Sequence, residues 1–443
     1  MRGIADLSCG ATLGLTKKIC YKDEQTFIMQ IKVQKSFVFR LRETAADARA
    51  FSRSGGSCRF VWNKALALQT RYYRICKKHL SYVKLANHLV KRWKKRNPWL
   101  NDAPSQALQQ ALKDLDNAWS RFFSEPDRVG RPQFKSKHNR TPTFRLPQGC
   151  ELDAVNQRLR LPKTGWVRMR MSCEVEGAIK NVTVSRKPTG WYVSIQTEFE
   201  QDVEPRVGAA IGIDVGATVS VATSNGALEH TPARLEKLRA RVVKLNRALA
   251  RKKRGSKRRL KTKHKLSRVH HRIATCRREW QHQLTTSLCL ENAIVCLEDL
   301  KVAVMTATEA KEKKRAIGSH TTEKLLSSGP AELRRQITYK QLWTGGQAVA
   351  VDPAYTSQDC AACSYRDKAS RNGIKFACTW CGHENHADIN AAQNILKRGL
   401  ALLAAGQVAN GREHGERVSR TPNRLPPRPS RRPPHDGVGI LGL

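Results

Sequence analysis

A chain of 443 residues with 81 Lys and Arg against 37 Asp and Glu, a formal net charge of +44 and an isoelectric point near 10.3 can fold into several domains with cores of their own, and it is far more basic than solubility requires. The surplus calls for a polyanion, and nucleic acid fits because every phosphate neutralised by Lys or Arg releases condensed counterions; a spanning helix is not expected, since no run of about 18 apolar residues occurs. Thirteen cysteines, scattered apart from one cluster, suit a reducing cytoplasm, with the protein at the nucleoid, better than a disulfide framework.

Residues 1–28 hold one short apolar stretch, and Met29 opens the first strongly patterned segment, so 1–28 is set aside as an extension and Met29 taken as the candidate start. From Ile31 to Leu41 apolar residues alternate as in a half-buried strand. A helix is expected from Thr44, SGGS at 54–57 reads as a loop, and Cys58–Lys78 reads as a second helix with Phe60, Val61, Ala65 and Leu68 inward. Asn97-Pro98 ends the helix after it. Leu108, Leu112, Leu115, Trp119 and Phe122 recur at helical spacing behind Pro104, so 104–123 is an amphipathic helix and these helices form a small bundle. Strand character returns at Val167/Met169/Met171, Val182/Val184 and Trp191/Val193/Ile195, with a turn at Lys187-Pro188-Thr189-Gly190. A β domain is thus interrupted by a helical insertion.

Two heptad-like seams, Leu235/Leu238/Val242/Leu245/Leu249 and Leu266/Val269/Ile273/Cys276/Trp280/Leu284, predict an antiparallel helical hairpin. Eleven of the twenty residues from 251 to 270 are Lys or Arg and none is acidic. Like charges this dense repel unless something neutralises them, so Lys252, Arg254, Arg258 and Arg259 are candidate phosphate contacts. The Pro-, Arg- and Gly-rich tail from about Gly406 cannot bury enough apolar surface to fold and is expected to be disordered.

Three acids stand where acids are expensive. Asp214 lies in the apolar run Ile211 to Val215, followed by a Gly-containing turn and a second apolar run, Val219 to Ala222, which reads as a β-hairpin. A carboxylate there needs a cationic partner, either a nearby Lys or Arg or a metal ion. A second apolar strand, Ala293 to Leu297, ends at Glu298-Asp299. Asp388 opens DINAAQNIL, whose Ile389, Ala392 and Ile395 share one helix side; the simpler role for such an acid is a helix cap. Together the three fit one mechanism, in which two divalent ions held roughly 4 Å apart by shared carboxylates hydrolyse a phosphodiester, with hard oxygen ligands selecting Mg2+ or Mn2+. A hairpin Asp, a later strand-end Glu and a final helix Asp follow the order of the RuvC branch of the ribonuclease H-like fold. Sugar kinases and actin-like ATPases share the Asp-x-Gly hairpin, but they need a Gly-rich nucleotide loop downstream, and Gly345-Gly346 is too little to supply it.

Cys360-Ala-Ala-Cys363 and Cys378-Thr-Trp-Cys381, fourteen residues apart, are the most specific local signal. Paired CxxC turns present four thiolates on a tetrahedron, which makes a closed, structural Zn2+ site with no open position for water; His383 and His386 read as bystanders. The module falls between Glu298 and Asp388, inserted in the nuclease segment and able to gate or hold substrate beside the acids.

With these residues in view, the chain resembles the transposon-encoded TnpB (OrfB) proteins, compact relatives of the type V CRISPR effector nucleases, over about residues 29 to 400. The resemblance is carried in order by QIKVQKSFVFRLRET, CRFVWNKALAL, PSQALQQALKDLDNAWSRFF, GRPQFKSK, IGIDVG, VCLEDLKV, DPAYTSQDCAACS and HADINAAQNIL. It implies a mixed α/β multidomain protein: a split wedge-like β-barrel (29–45 and 130–205), a helical recognition lobe (46–129), a RuvC nuclease domain (206–355 and 384–403), an inserted zinc ribbon (356–383) and a disordered basic tail (404–443). It further implies Asp214, Glu298 and Asp388 at the catalytic positions, zinc on the four cysteines, and a guide RNA that selects target DNA by pairing while the protein reads a short flanking motif. Ser364 stands where the family usually has Gly, and the stretch from Met305 to Gly329 departs from the family pattern. The expected activity is RNA-guided, metal-dependent DNA cleavage. The competing readings are a guide-dependent DNA-binding regulator with little cleavage and an accessory transposase; the second would use a His-hydrophobic-His pair, a spacing that His270-His271 lacks.

Overall fold

The computed structural model describes residues 17–23, 26–126, 128–137, 141–216, 218–300 and 328–406, arranged around two main sheets. The anticipated tail beyond 406 and residues 305–327 of the divergent stretch lie outside the described residues.

The first sheet is antiparallel: β1 (Lys17–Asp23), β2 (Thr26–Leu41), β3 (Thr143–Leu146), β4 (Glu151–Asp153), β5 (Arg158–Leu161), β6 (Gly165–Arg170), β7 (Ala178–Lys187) and β8 (Gly190–Val203). Its spatial order is β3-β7-β8-β2-β6-β5-β4, with β1 also paired to β2. Alternation turns Ile31, Val33, Phe37, Phe39 and Leu41 inward, and the same period buries Val182/Val184 and Trp191/Val193/Ile195. The sheet starts earlier than Met29 suggested: β1 pairs with β2 in a register that sets Ile19 against Met29, so part of the 1–28 extension belongs to the fold.

Four helices follow β2 before the chain returns to the sheet: α1 (Ala45–Cys76), α2 (Tyr82–His88), α3 (Lys94–Arg96) after a π turn at Leu89–Trp93, and α4 (Ser105–Ser124). Thr44 starts α1 with a capping box: its hydroxyl accepts from Asp47 N at 3.2 Å, and Asp47 Oδ2 accepts from Thr44 N at 2.9 Å. The expected loop at SGGS does not form, because α1 runs through it without a break. Ser54, Gly55 and Ser57 are buried, and a Cβ on Gly55 would come within 2.7 Å of Pro142 Cβ. Small residues here let the helix approach the start of β3, a tertiary gain that outweighs a glycine cost of about 1 kcal/mol. The helices share their core with the sheet: Phe51 of α1 meets Trp191 of β8 edge-on at 5.2 Å, and Leu108, Leu112, Leu115 and Trp119 of α4 join the same cluster.

The second sheet contains β9 (Ala210–Asp214), β10 (Val221–Thr223), β11 (Leu228–Glu229), β12 (Ile294–Glu298) and β13 (Gln347–Val351). Its order is β11-β10-β9-β12-β13; the first three form an antiparallel meander, and β12 and β13 run parallel to β9. Between β11 and β12 the predicted hairpin forms from α5 (Ala233–Ala250) and α6 (Lys257–Glu291). On one face Ile211, Ile213, Val295 and Leu297 pack against Trp280 and Leu288 of α6 and Leu333 and Ile337 of α7 (Pro330–Trp343). On the other face Cys296, Val349 and Val351 meet Ile395 of the final helix, α8 (Ala387–Ala404). The period of two thus gives each strand one face for each helix layer.

Gly212 lies on the α8 side, where a Cβ would stand 2.1 Å from Ala392 O and 2.7 Å from Leu396 N. The absent side chain lets the helix backbone rest directly on β9. Between β13 and α8, three short strands, β14 (Arg371–Asn372), β15 (Lys375–Ala377) and β16 (Glu384–His386), support the cysteine cluster. No helix among the described residues is long and apolar enough to cross a membrane.

Candidate metal centre

Three elements bring the sequence-distant acids together at the carboxyl ends of two interior strands of the second sheet. Asp214 ends β9 and Glu298 ends β12, and these strands are parallel neighbours with Leu297 opposite Ile213, so the two carboxylates leave the sheet side by side. Asp388 is the second residue of α8, the helix that Gly212 admits onto β9. A Cβ on Gly216, two residues past Asp214, would lie 3.9 Å from Asp388 Oδ2, so this carboxylate faces the turn after β9. His386 caps α8, its Nδ1 accepting from Asp388 N at 3.2 Å, which leaves the Asp388 carboxylate for other partners. One of them is Arg371, whose Nη2 donates to Asp388 Oδ1 at 2.9 Å.

The electrostatics follow from this crowding. Enclosure by protein, then the charges of Glu298 and Asp388, push the Asp214 carboxyl up to about 7, against the pull of Arg371 and a hydrogen bond from the Val215 backbone. Glu298 is also raised by burial, opposed by the hydroxyl of Thr356, which donates to its Oε1 at 2.5 Å. Asp214 and Glu298 keep some accessibility while Asp388 is buried. Three carboxylates, of which Glu298 and Asp388 load Asp214 with like charge, and one guanidinium among them form a donor set of hard oxygens, which suits a hard divalent cation. The carboxylates are spread more widely than the thiols: among the described residues, only the cysteine set brings three or more ligand atoms within 4.8 Å of one another.

That set is Cys360, Cys363, Cys378 and Cys381. Cys360 Sγ lies 3.7 Å from Cys381 Sγ, and Cys363 Sγ lies 3.7 Å from Cys378 Sγ. A tetrahedron with metal–sulfur bonds of about 2.3 Å requires sulfur separations of about 3.8 Å, so the four thiols fit zinc. Each pair sits in a tight turn whose last residue has positive φ, Ser364 at 62° and Gly382 at 69°. The first turn explains why glycine is favoured at position 364; serine adopts the left-handed conformation here, and its hydroxyl accepts from Lys397 Nζ at 2.8 Å.

The hairpin tip divides the four basic candidates into two kinds. Arg259 Nη1 donates to Leu249 O and Lys252 O, and Lys252 Nζ donates to Thr262 Oγ1, so both side chains knit the tip. Arg254 and Arg258 are exposed.

Arg371, Thr356 and three polar residues of α8 did not emerge from the sequence reading. Asn390, Asn394 and Arg398, spaced four apart, form a stripe on a helix that is otherwise largely apolar, a pattern visible in the sequence but mute about its target. No sequence signal singles out Arg371.

Family models match along most of the chain: a helix-turn-helix domain model of the OrfB_IS605 type over residues 29–78, a model described as a probable transposase (OrfB_IS605) over 193–309, and a Cas12f1-like TNB domain over 331–395. In this chain residues 29–78 are a strand and one long helix, β2 and α1. The chain is 41% identical over 393 residues to "Putative RNA-guided DNA endonuclease InsQ" of Escherichia coli (strain K12), covering 86% of this chain and 96% of that protein. It is 33% identical to a Streptomyces pristinaespiralis protein named "Putative RNA-guided DNA endonuclease", covering 89% and 96%. It is 27% identical to the CRISPR-associated endodeoxyribonuclease Cas12f1 of Sulfoacidibacillus thermotolerans over 54% of this chain and 57% of that one. Solved structures resemble it remotely: a Cas12f1–sgRNA–target DNA complex at TM-score 0.31 and 14% identity, covering 82% and 98%, and CasPhi-2 bound to crRNA at 0.37 and 13%, covering 83% and 98%.

Proposed function

The chain belongs to the OrfB (TnpB) family of transposon-associated RNA-guided DNA endonucleases, and on that premise we propose that it is itself an RNA-guided DNA endonuclease cutting through a RuvC-type centre at Asp214, Glu298 and Asp388. The observation that carries this reading is the convergence of three acids, 174 residues apart from first to last, at the carboxyl ends of two neighbouring strands, where burial and the charges of Glu298 and Asp388 raise the proton affinity of Asp214. The strand order β11-β10-β9-β12-β13, a meander followed by two parallel strands, supports a ribonuclease H-like domain. The eight-stranded sheet with its helices corresponds to the wedge and recognition lobe, and the cysteine module to a ribbon closed by structural zinc.

Asp214, Glu298 and Asp388 would hold Mg2+ or Mn2+. Bound there, the divalent ions would supply charge neutralisation at the scissile phosphate and activation of the attacking water. The protein's own contribution is positional. β9 and β12 set two carboxylates side by side, α8 presents the third from a buried first turn, and Arg371 supplies a fixed positive charge that can meet a phosphate oxygen once cations take over Asp388. The basic surface, including Arg254 and Arg258 at the hairpin tip, would hold the guide RNA and target DNA by their backbones.

The test is to purify the protein with its copurifying RNA, sequence that RNA, and challenge the complex with plasmids carrying or lacking the matching target. Cleavage of the matched plasmid alone, in magnesium, and its loss in Asp214→Ala with retained RNA support the reading. A complex that binds the matched target and never cuts it in magnesium or manganese assigns the chain to the regulatory alternative.

A further inference from the structure

The polar stripe of α8 is spent on one loop, residues 352–361, which connects β13 to the first cysteine turn. Arg398 Nη1 donates to Ala354 O at 2.6 Å and Asp352 O at 3.1 Å, while its Nη2 reaches Asp359 Oδ2 at 2.6 Å. Asn394 Nδ2 donates to the carbonyls of Thr356 at 3.0 Å and Asp359 at 2.7 Å. Asn390 Nδ2 donates to the same Asp359 carbonyl at 2.8 Å, and its Oδ1 accepts from Ala361 N, next to Cys360, at 2.9 Å. Asn390 is fully buried and Asn394 and Thr356 nearly so, so the bonds of the two asparagines are largely shielded from water, while those of Arg398 lie nearer the surface. The outcome of the clamp is one contact: the Thr356 hydroxyl, 2.5 Å from Glu298 Oε1, with Pro353 O a weaker acceptor at 3.1 Å.

We infer that Thr356 is a positioning residue for Glu298, delivered by the Asn390–Asn394–Arg398 clamp. It rests on the proposed role of Glu298 as a metal-holding acid. A carboxylate at a strand end can rotate about its last two bonds; a hydroxyl locked from behind by Asn394 fixes which oxygen turns toward Asp214 and which is occupied. Outer partners of this kind orient the atoms that meet the ion, and their loss typically weakens metal binding about 10–100-fold. Because α8 also carries Asp388, one helix fixes two of the three acids, one directly and one through Thr356. The clamp's grip on Ala361 ties the same loop to the cysteine turn.

The experiment compares Thr356→Val, which keeps the shape and removes the hydroxyl, with Thr356→Ser, which keeps the hydroxyl, in the full chain. Zinc content and thermal melting report folding; if the valine does not fold, Thr356→Ala reads the same loss. Mn2+ binding followed by electron paramagnetic resonance is expected to weaken about 10–100-fold in the hydroxyl-free variant and to stay near wild type in the serine variant. A metal-free arm follows the Glu298 carboxyl by 13C NMR: its pKa rises without the hydroxyl and holds with serine. Wild-type protein that binds no Mn2+ defeats the metal-site reading, while this arm still tests the positioning. Equal behaviour of valine and wild type in both arms, or a serine variant as impaired as the valine, overturns the assignment.

Discussion

Arg371 of the cysteine module holds its guanidinium 2.9 Å from Oδ1 of Asp388, the acid that α8 buries beside Asp214. The ribbon therefore reaches into the acidic site with a positive charge where cations are proposed to sit. Removal of that charge has two opposed effects. Arg371→Ala leaves Asp388 uncompensated, so the metal-free protein should lose about 1–3 kcal/mol, between the values for exposed and buried pairs. Divalent cations then no longer compete with a guanidinium, so the rise in melting temperature on adding Mn2+ should exceed that of wild type. Equal shifts in both proteins would show that Arg371 and the cation do not share Asp388.

Asp214 gives the metal-free protein a pH dependence of defined sign. Its carboxyl rises from an ordinary value of 3.8 to about 7 in the fold. The unfolded chain therefore ionises first, and stability falls as pH climbs from about 4 to about 7, by at most about 4 kcal/mol. Asp214→Asn carries no proton to lose. Without metal it should be more stable than wild type at pH 8 and converge with it near pH 4, while cleavage is lost at every pH. Thermal melts across that range are the check, and a variant less stable than wild type at pH 8 would contradict the account of a carboxyl raised by burial and by its acidic neighbours.

Gly212 predicts a packing failure. An alanine there drives its methyl to 2.1 Å from a carbonyl of α8 and 2.7 Å from an amide, both backbone atoms that cannot swing aside. Gly212→Ala should cost about 3 kcal/mol or more in chemical denaturation, at the upper end of overpacking penalties. A loss below about 1 kcal/mol would mean that the helix does not lie on β9 as described.

How much of this was legible in the sequence depends on whether the signal was local. Alternation located β2, β7 and β8, and heptad seams located α5 and α6, because each pattern reports one face of one element. Asp214 and Glu298 stood out as acids in or at the end of apolar strands, and the cysteine pairs by spacing. SGGS misled because Gly55 answers to Pro142, which lies far along the chain. Asp388 reads in the sequence as the third acid with a helix cap as its competing role, and in the fold His386 takes that cap. Arg371 and Thr356 were invisible because their partners are set by the path of the ribbon and the loop before it.

The two kinds of basic side chain at the hairpin tip should separate in binding assays. Arg254→Ala with Arg258→Ala removes exposed charge alone, so the slope of log affinity for nucleic acid against log salt should flatten by roughly 1–2, about 0.7–0.9 for each phosphate no longer neutralised. Arg259→Ala removes donors to Leu249 O and Lys252 O and should also lower thermal stability. Unchanged slopes in the double variant would make the tip a solvated surface that does not touch the nucleic-acid backbone.

The most direct measurement is anomalous diffraction from crystals of the full chain soaked in Mn2+. The account predicts manganese peaks at about 2.2 Å from carboxylate oxygens of Asp214, Glu298 and Asp388 together, with Asp214→Ala removing them. Peaks that ignore these three residues, or that persist in the alanine variant, would contradict the claim that the acids form one cation-holding centre.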